Sequence, residues 1–165
     1  MKTVVMGIGN LLLGDEGAGC RCVEELEKRY ALPPEVECVD GGVCGFELLP
    51  IIEEAEALIL IDALADGREP GTVILAEDEA VPRKMGTHGS PHQIGICEVL
   101  ALARVSGKEP RRLLLFGIEP KTMELGIGLS PEAERGIEKA LAEVVKSLGE
   151  VGHEVTVKAG ILESR

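Results

Sequence analysis

Residues 57–61 read ALILI, five apolar residues in a row, and Asp62 follows them directly. An amphipathic helix would break such a run every second or third position, and a half-buried strand would alternate it. A short, unbroken apolar run fits a strand covered on both faces. Residues 3–8 (TVVMGI) and 112–118 (RLLLFGI) repeat the pattern, with shorter strand-like runs at 35–39 (EVECV) and 72–76 (TVILA).

Between these runs lie stretches of helical spacing. Residues 17–29 place Ala18, Cys22 and Leu26 on one face, and 45–54 and 92–105 also read as helices. Pro131 follows Ser130, a suitable N-cap, and opens a helix expected to run to about Leu148. A turn is expected at 67–71, irregular structure over 78–91 and a weak strand pattern near 153–158. This alternation predicts an α/β fold, a three-layer αβα sandwich around a twisted, mostly parallel sheet of about five strands. Without a repeat or linker, residues 1–165 read as one domain.

Composition narrows the function. The 165 residues are 45% hydrophobic but only 2% aromatic, so the core must be aliphatic. A net charge of −12 argues against nucleic acid and anionic membrane, which need Lys and Arg at the contact. No run approaches the ~20 apolar residues of a membrane span. The short apolar start runs straight into Gly7, Gly9 and Asn10, which predicts no signal peptide. Five cysteines (Cys20, Cys22, Cys38, Cys44 and Cys97) form no CxxC pair. They read as thiols of a reducing cytoplasm rather than a metal cluster.

In such folds ligands bind beyond the carboxyl ends of the strands, where the strand order reverses. Three loops qualify: GNLLLGDEGAG, DGGVCG and DALADG, with VPRKMGTHGSPHQ able to cover the same edge. The first loop supplies only Gly7 and Gly9 of a dinucleotide fingerprint. Leu12 stands where the third glycine should allow close helix packing. Asp40 could imitate the acid that binds a ribose hydroxyl, yet Asp15 and Glu16 would repel a pyrophosphate. A carboxylate cation site suits the loop better, because a helix N-terminus keeps Asp15 or Glu16 ionised; acids there also serve simply as caps. Asp62 is either a cap for its loop or a functional group at the rim of a central strand. His92 opens a helix and His88 lies in a glycine-flanked loop, but no HExxH motif is present. In a 2-1-3 strand order the first and third strands are neighbours, which would bring Glu16 and Asp62 to one edge.

GIGNLLLGDEGAG, then DGG, then IDAL, then SPHQIG, in this order, resemble the maturation endopeptidases of [NiFe] hydrogenases, from Met1 to about Leu148. The resemblance implies an enzyme that removes a C-terminal extension from the hydrogenase large-subunit precursor after nickel insertion. It implies that Glu16 (in GDEG), Asp62 (in LIDAL) and His92 (in SPHQ) engage that nickel and form the catalytic centre. The nickel would arrive with the substrate rather than reside in the protease. Asp40, Gly41 and Gly42 would lie along the substrate cleft, the glycines through backbone angles that other residues resist. Two carboxylates and an imidazole suit a borderline divalent ion with positions left for substrate. Hydrolysis would use water activated by the metal or by a carboxylate, with Asp62 a candidate base. Leu11, Leu12 and Leu13 are expected either to pack under the loop or to touch the precursor. A module that recognises the nickel site without cutting, or a nucleotide-binding enzyme, are the alternatives.

Overall fold

A computed structural model describes residues 1–43, 45–86 and 91–161, and of His92 and Ile94 only the backbone. Cys44 and His88 therefore lie outside the described residues. The strands are β1 (Thr3–Ile8), β2 (Tyr30–Ala31), β3 (Val36–Gly42), β4 (Ala57–Ala63), β5 (Val73–Glu77), β6 (Arg112–Ile118) and β7 (Thr156–Val157). The helices are α1 (Ala18–Arg29), α2 (Leu49–Glu54), α3 (Ala80–Gly86), α4 (Pro91–Val105) and α5 (Pro131–Glu150). Five strands form the central sheet in the order β3-β1-β4-β6-β5. β1 runs parallel to both β3 and β4, β4 runs parallel to β6, and only the edge strand β5 is antiparallel. The weak tail pattern forms β7, which pairs with β2 in a separate ribbon.

Every residue of β1 and β4 is buried, as their unbroken apolar runs require. Alternation within them divides two cores. Val4, Met6, Ile8, Leu58 and Leu60 pack with Ile52, Val81, Met85, Ile96 and Val99 of α2, α3 and α4. Val5, Ile59 and Ile61 face the other way, onto Cys22, Leu26, Ile137, Leu141 and Val144 of α1 and α5. The same alternation turns Asp62 to the α4 side. The Ser130 hydroxyl caps α5 as expected, accepting from the Ala133 N–H at 3.1 Å.

Two expectations need correction. Residues 80–86, read from sequence as irregular, form α3, with Val81 and Met85 buried on one side; Pro82 is tolerated because it sits in the first turn, where no intrahelical donor is lost. The close helix packing that Leu12 seemed to forbid is supplied instead by Gly19 in α1. A Cβ on Gly19 would lie 2.1 Å from the Ile61 carbonyl oxygen and 2.5 Å from that of Ile8. One on Gly7 would lie 2.4 Å from the Gly19 carbonyl oxygen. With bare backbone on both sides, α1 starts directly against the ends of β1 and β4.

Candidate active site

Because β1 and β4 are neighbours, their carboxyl ends open at the point where strand order reverses. The GDEG turn (Gly14–Gly17), one turn of 3₁₀ helix, joins β1 to α1, is buried throughout and packs against β4. Gly9 sits between the two acids singled out by the sequence. A Cβ there would fall 1.9 Å from the Glu16 carbonyl oxygen and 3.7 Å from Asp62 Oδ1. Gly9 also adopts φ +134°, a region that side chains resist. Its N–H donates to the Gly42 carbonyl at 2.9 Å, which ties the DGG segment to the same edge.

Asp62 is fully buried and Glu16 nearly so. Isolated buried carboxylates are costly, so both need donors or a cation nearby. Asp62 Oδ2 accepts from Gln93 Nε2 at 2.9 Å, and the same amide donates to the Ala63 carbonyl at 3.1 Å. Gln93 belongs to the first turn of α4 beside His92. The His92 backbone is thus placed at the same sheet edge, while its side chain lies outside the described residues. Sequence reasoning passed over Gln93; its only signal was membership of SPHQ, directly after the histidine.

The other members of the set differ from expectation in detail. Asp40 is exposed, and its Oδ1 accepts from the Gly42 N–H at 3.0 Å. Gly42 does take a left-handed φ of +50°. Gly41 does not; its constraint is space, since a Cβ there would lie 3.1 Å from the Gly7 carbonyl oxygen and 3.2 Å from Met6. Of the three leucines, Leu12 is exposed, while Leu11 and Leu13 are half-buried.

Asp15 has a different task from its neighbour. Its carboxylate accepts from the Ser130 N–H and hydroxyl, both at 2.7 Å, from Lys121 N–H at 2.8 Å and from Thr122 N–H at 3.2 Å. Burial raises its pKa, but these donors outweigh it, so the carboxyl titrates below its ordinary 3.8. The expected role for the helix N-terminus is taken by a different loop: Asp15 knots residues 121–130 onto the first loop. Two backbone bonds, Gly14 N–H to Gly126 O and Gly126 N–H to Leu12 O, extend the knot.

Asp15→Asn leaves part of that donor set unmet and is expected to destabilise the fold by about 2–4 kcal/mol at pH 7, measured by urea unfolding. A carboxyl whose folded pKa lies below its unfolded value stabilises above the latter, and that contribution fades as pH falls through the folded value. The gap between wild type and variant should therefore hold from pH 7 to about 5 and close below pH 3.8. A gap that persisted unchanged into strong acid would remove the knot.

Cys20 lies just behind the site, its thiol directed at the Gly9 carbonyl at 3.7 Å. Burial, then the neighbouring Asp40 and Asp62 carboxylates, push it up to about 12. At neutral pH it is a thiol, and a thiol is a poor nucleophile and metal ligand.

A mostly parallel αβα sandwich with buried carboxylates at its reversal point suits a hydrolytic or cation-handling class of protein. Comparison with known proteins makes this specific. Residues 20–147 match the family model HycI, hydrogenase maturation protease. The chain is 43% identical to the hydrogenase 2 maturation protease of Escherichia coli K12 over 162 residues, which is 98% of this chain and 99% of that one. It is 44% identical to the hydrogenase expression/formation protein HupD of Rhodobacter capsulatus, covering 97% and 77%. Its fold superposes on the E. coli hydrogenase maturating endopeptidase HybD with a TM-score of 0.93 at 42% identity, covering 96% and 99%. The [NiFe] hydrogenase maturation protease HybD of Thermococcus kodakarensis follows at 0.74 and 27%, covering 90% and 99%. This chain belongs to the hydrogenase maturation protease family and is a hydrolase of that family.

Proposed function

We propose that this protein is an endopeptidase that removes the C-terminal extension of the nickel-loaded large-subunit precursor of a [NiFe] hydrogenase, with Glu16, Asp62 and His92 engaging the nickel the precursor carries. The observation that supports it best is that two buried acids from loops 46 residues apart reach the same β1/β4 edge, where Gly9 lies against the Glu16 backbone carbonyl and the Asp62 carboxylate, within a family of maturation proteases. Buried carboxylates favour a cation, and this donor set accepts a borderline divalent ion while leaving it open to further ligands. The raised pKa of the buried Cys20 argues against its thiolate as nucleophile, and water is the attacking group in this reading. Asp62, hydrogen-bonded on Oδ2 with Oδ1 toward Gly9, is the base candidate; activation of that water by the substrate's metal is the other route.

The surroundings suit a protein substrate. Leu12, Val43, Phe46, Leu125 and Ile127 are exposed on loops that follow β1, β3 and β6, all at the edge where the parallel strands end. Leu125 and Ile127 are 84% and 78% exposed, far beyond what folding requires. Large apolar side chains exposed at one edge of a fold suit contact with a protein partner. No helix among the described residues is long and apolar enough to cross a membrane. Among the described residues Cys20, Cys22, Cys38 and Cys97 form no disulfide, which suits action in the cytoplasm.

The test is to incubate the protein with nickel-loaded and nickel-free precursor and to weigh the products by mass spectrometry. Only the loaded precursor is expected to be shortened. Equal cleavage of both would remove nickel recognition. Nickel-dependent binding without a shorter product would leave a recognition module in place of the enzyme.

A further inference from the structure

We propose that Gln93 is a positioning residue that sets the orientation of the Asp62 carboxylate at the mouth of the site. Its amide is assigned by chemistry. The two groups it faces, Asp62 Oδ2 at 2.9 Å and the Ala63 carbonyl at 3.1 Å, are both acceptors, so the nitrogen must point at them. Both N–H bonds are then spent on adjacent points of one strand end. Since one lies on the backbone of β4 and the other on the side chain of Asp62, the amide acts as a strut between them. It fixes rotation of the carboxylate about its Cβ–Cγ bond. Oδ2 is held toward α4, and Oδ1 is turned toward Gly9, where an added Cβ would lie 3.7 Å away.

The remaining atom of the amide argues against a purely structural role. Gln93 is 3% exposed, and its Oε1 is buried without a hydrogen-bond partner among the described residues. Two hydrogen bonds gained against one buried acceptor left unmet nearly cancel in stability. An apolar side chain of the same length would remove that unmet acceptor but would take the donor from Asp62 Oδ2 and the Ala63 carbonyl. What it would not do is hold Oδ2. The amide therefore acts on geometry as well as on stability, and hydrogen-bond partners of a ligating or catalytic carboxylate tune it by about 10–100-fold when removed.

The consequence for activity rests on the proposed function; the orientation itself does not. The experiment compares wild type with Gln93→Met, similar in length but without an amide, and Gln93→Glu, which sets an acceptor against acceptors. Crystal structures of both variants, melting temperatures, precursor affinity and the single-turnover cleavage rate of nickel-loaded precursor are measured. In both variants the Asp62 carboxylate is expected to rotate from its wild-type plane. Cleavage should slow about 10–100-fold, with precursor affinity within about twofold; melting should fall by about 4–8 °C as Asp62 loses its donor, and further in Gln93→Glu, which sets a second carboxyl against it. An unmoved Asp62 in Gln93→Met, or a rotated one with an unchanged rate, overturns the proposal. So does a collapse of melting temperature in both variants, which would mark Gln93 as a structural residue. Should wild type itself fail to cleave, the functional reading falls, and the positioning claim is decided by the orientation of Asp62 in the two crystal structures.

Discussion

Replacing Asp62 with Asn is expected to stop precursor processing while leaving the protein folded. The same is expected of Glu16→Gln and His92→Gln. Removal of a general base or of a group that engages the reacting centre costs about 10²–10⁴-fold in rate. Stability should move differently. Asp62 is fully buried, and a buried charge is costly to desolvate. Asn keeps an oxygen for the Gln93 amide and sheds the charge, so the melting temperature of Asp62→Asn should equal or exceed that of wild type. A loss of activity with gained stability is the signature of a residue kept for chemistry rather than for the fold. Processing by Asp62→Asn at the wild-type rate, in the nickel-loaded precursor assay, would remove it from the catalytic centre.

Gly19→Ala is expected to have one of the largest effects on folding of any single methyl added to this chain. The new Cβ would sit 2.1 Å from the Ile61 carbonyl oxygen and 2.5 Å from that of Ile8. Both are backbone atoms in central strands, so neither can swing aside as a flexible side chain would. Overpacking of this kind costs about 3 kcal/mol or more, expected as a loss of soluble protein or a sharply lowered midpoint in urea. Gly149→Ala is the matched control. It lies near the end of α5 with nothing within 4 Å of the added atom. It should be neutral or stabilising by up to about 1 kcal/mol, since alanine restricts the unfolded chain and favours helix. Equal stability of the two variants would show that α1 can retreat from the sheet, and with it the Glu16 turn.

How the acids come together was partly legible beforehand. Asp62 could be placed at a strand end because a carboxylate after five apolar residues has nowhere else to go. Glu16 could be placed beyond β1 because GNLLLGDEGAG joins the first strand to the first helix. Other features were hidden for a common reason: they depend on what faces a residue across space. Asp15 and Glu16 are adjacent and chemically alike, yet Asp15 is spent on Ser130, Lys121 and Thr122, more than 100 positions away. The need for glycine at position 19 is set by the Ile8 and Ile61 carbonyls beneath it, which are remote from it in the chain. Gln93 looked like an appendage of His92 until its amide was found on Asp62.

By itself the sequence determined the layers, the parallel central strands and the edge at which chemistry must sit, because apolar periodicity and strand ends are local properties of the chain. Tertiary structure alone decided which acid of the GDEG turn knots a loop, how closely α1 may approach the sheet, and that the Gln93 amide holds the Asp62 carboxylate. Hydrogen-bond partners and steric clearance belong to pairs of surfaces, and those pairs exist only after the chain has closed on itself.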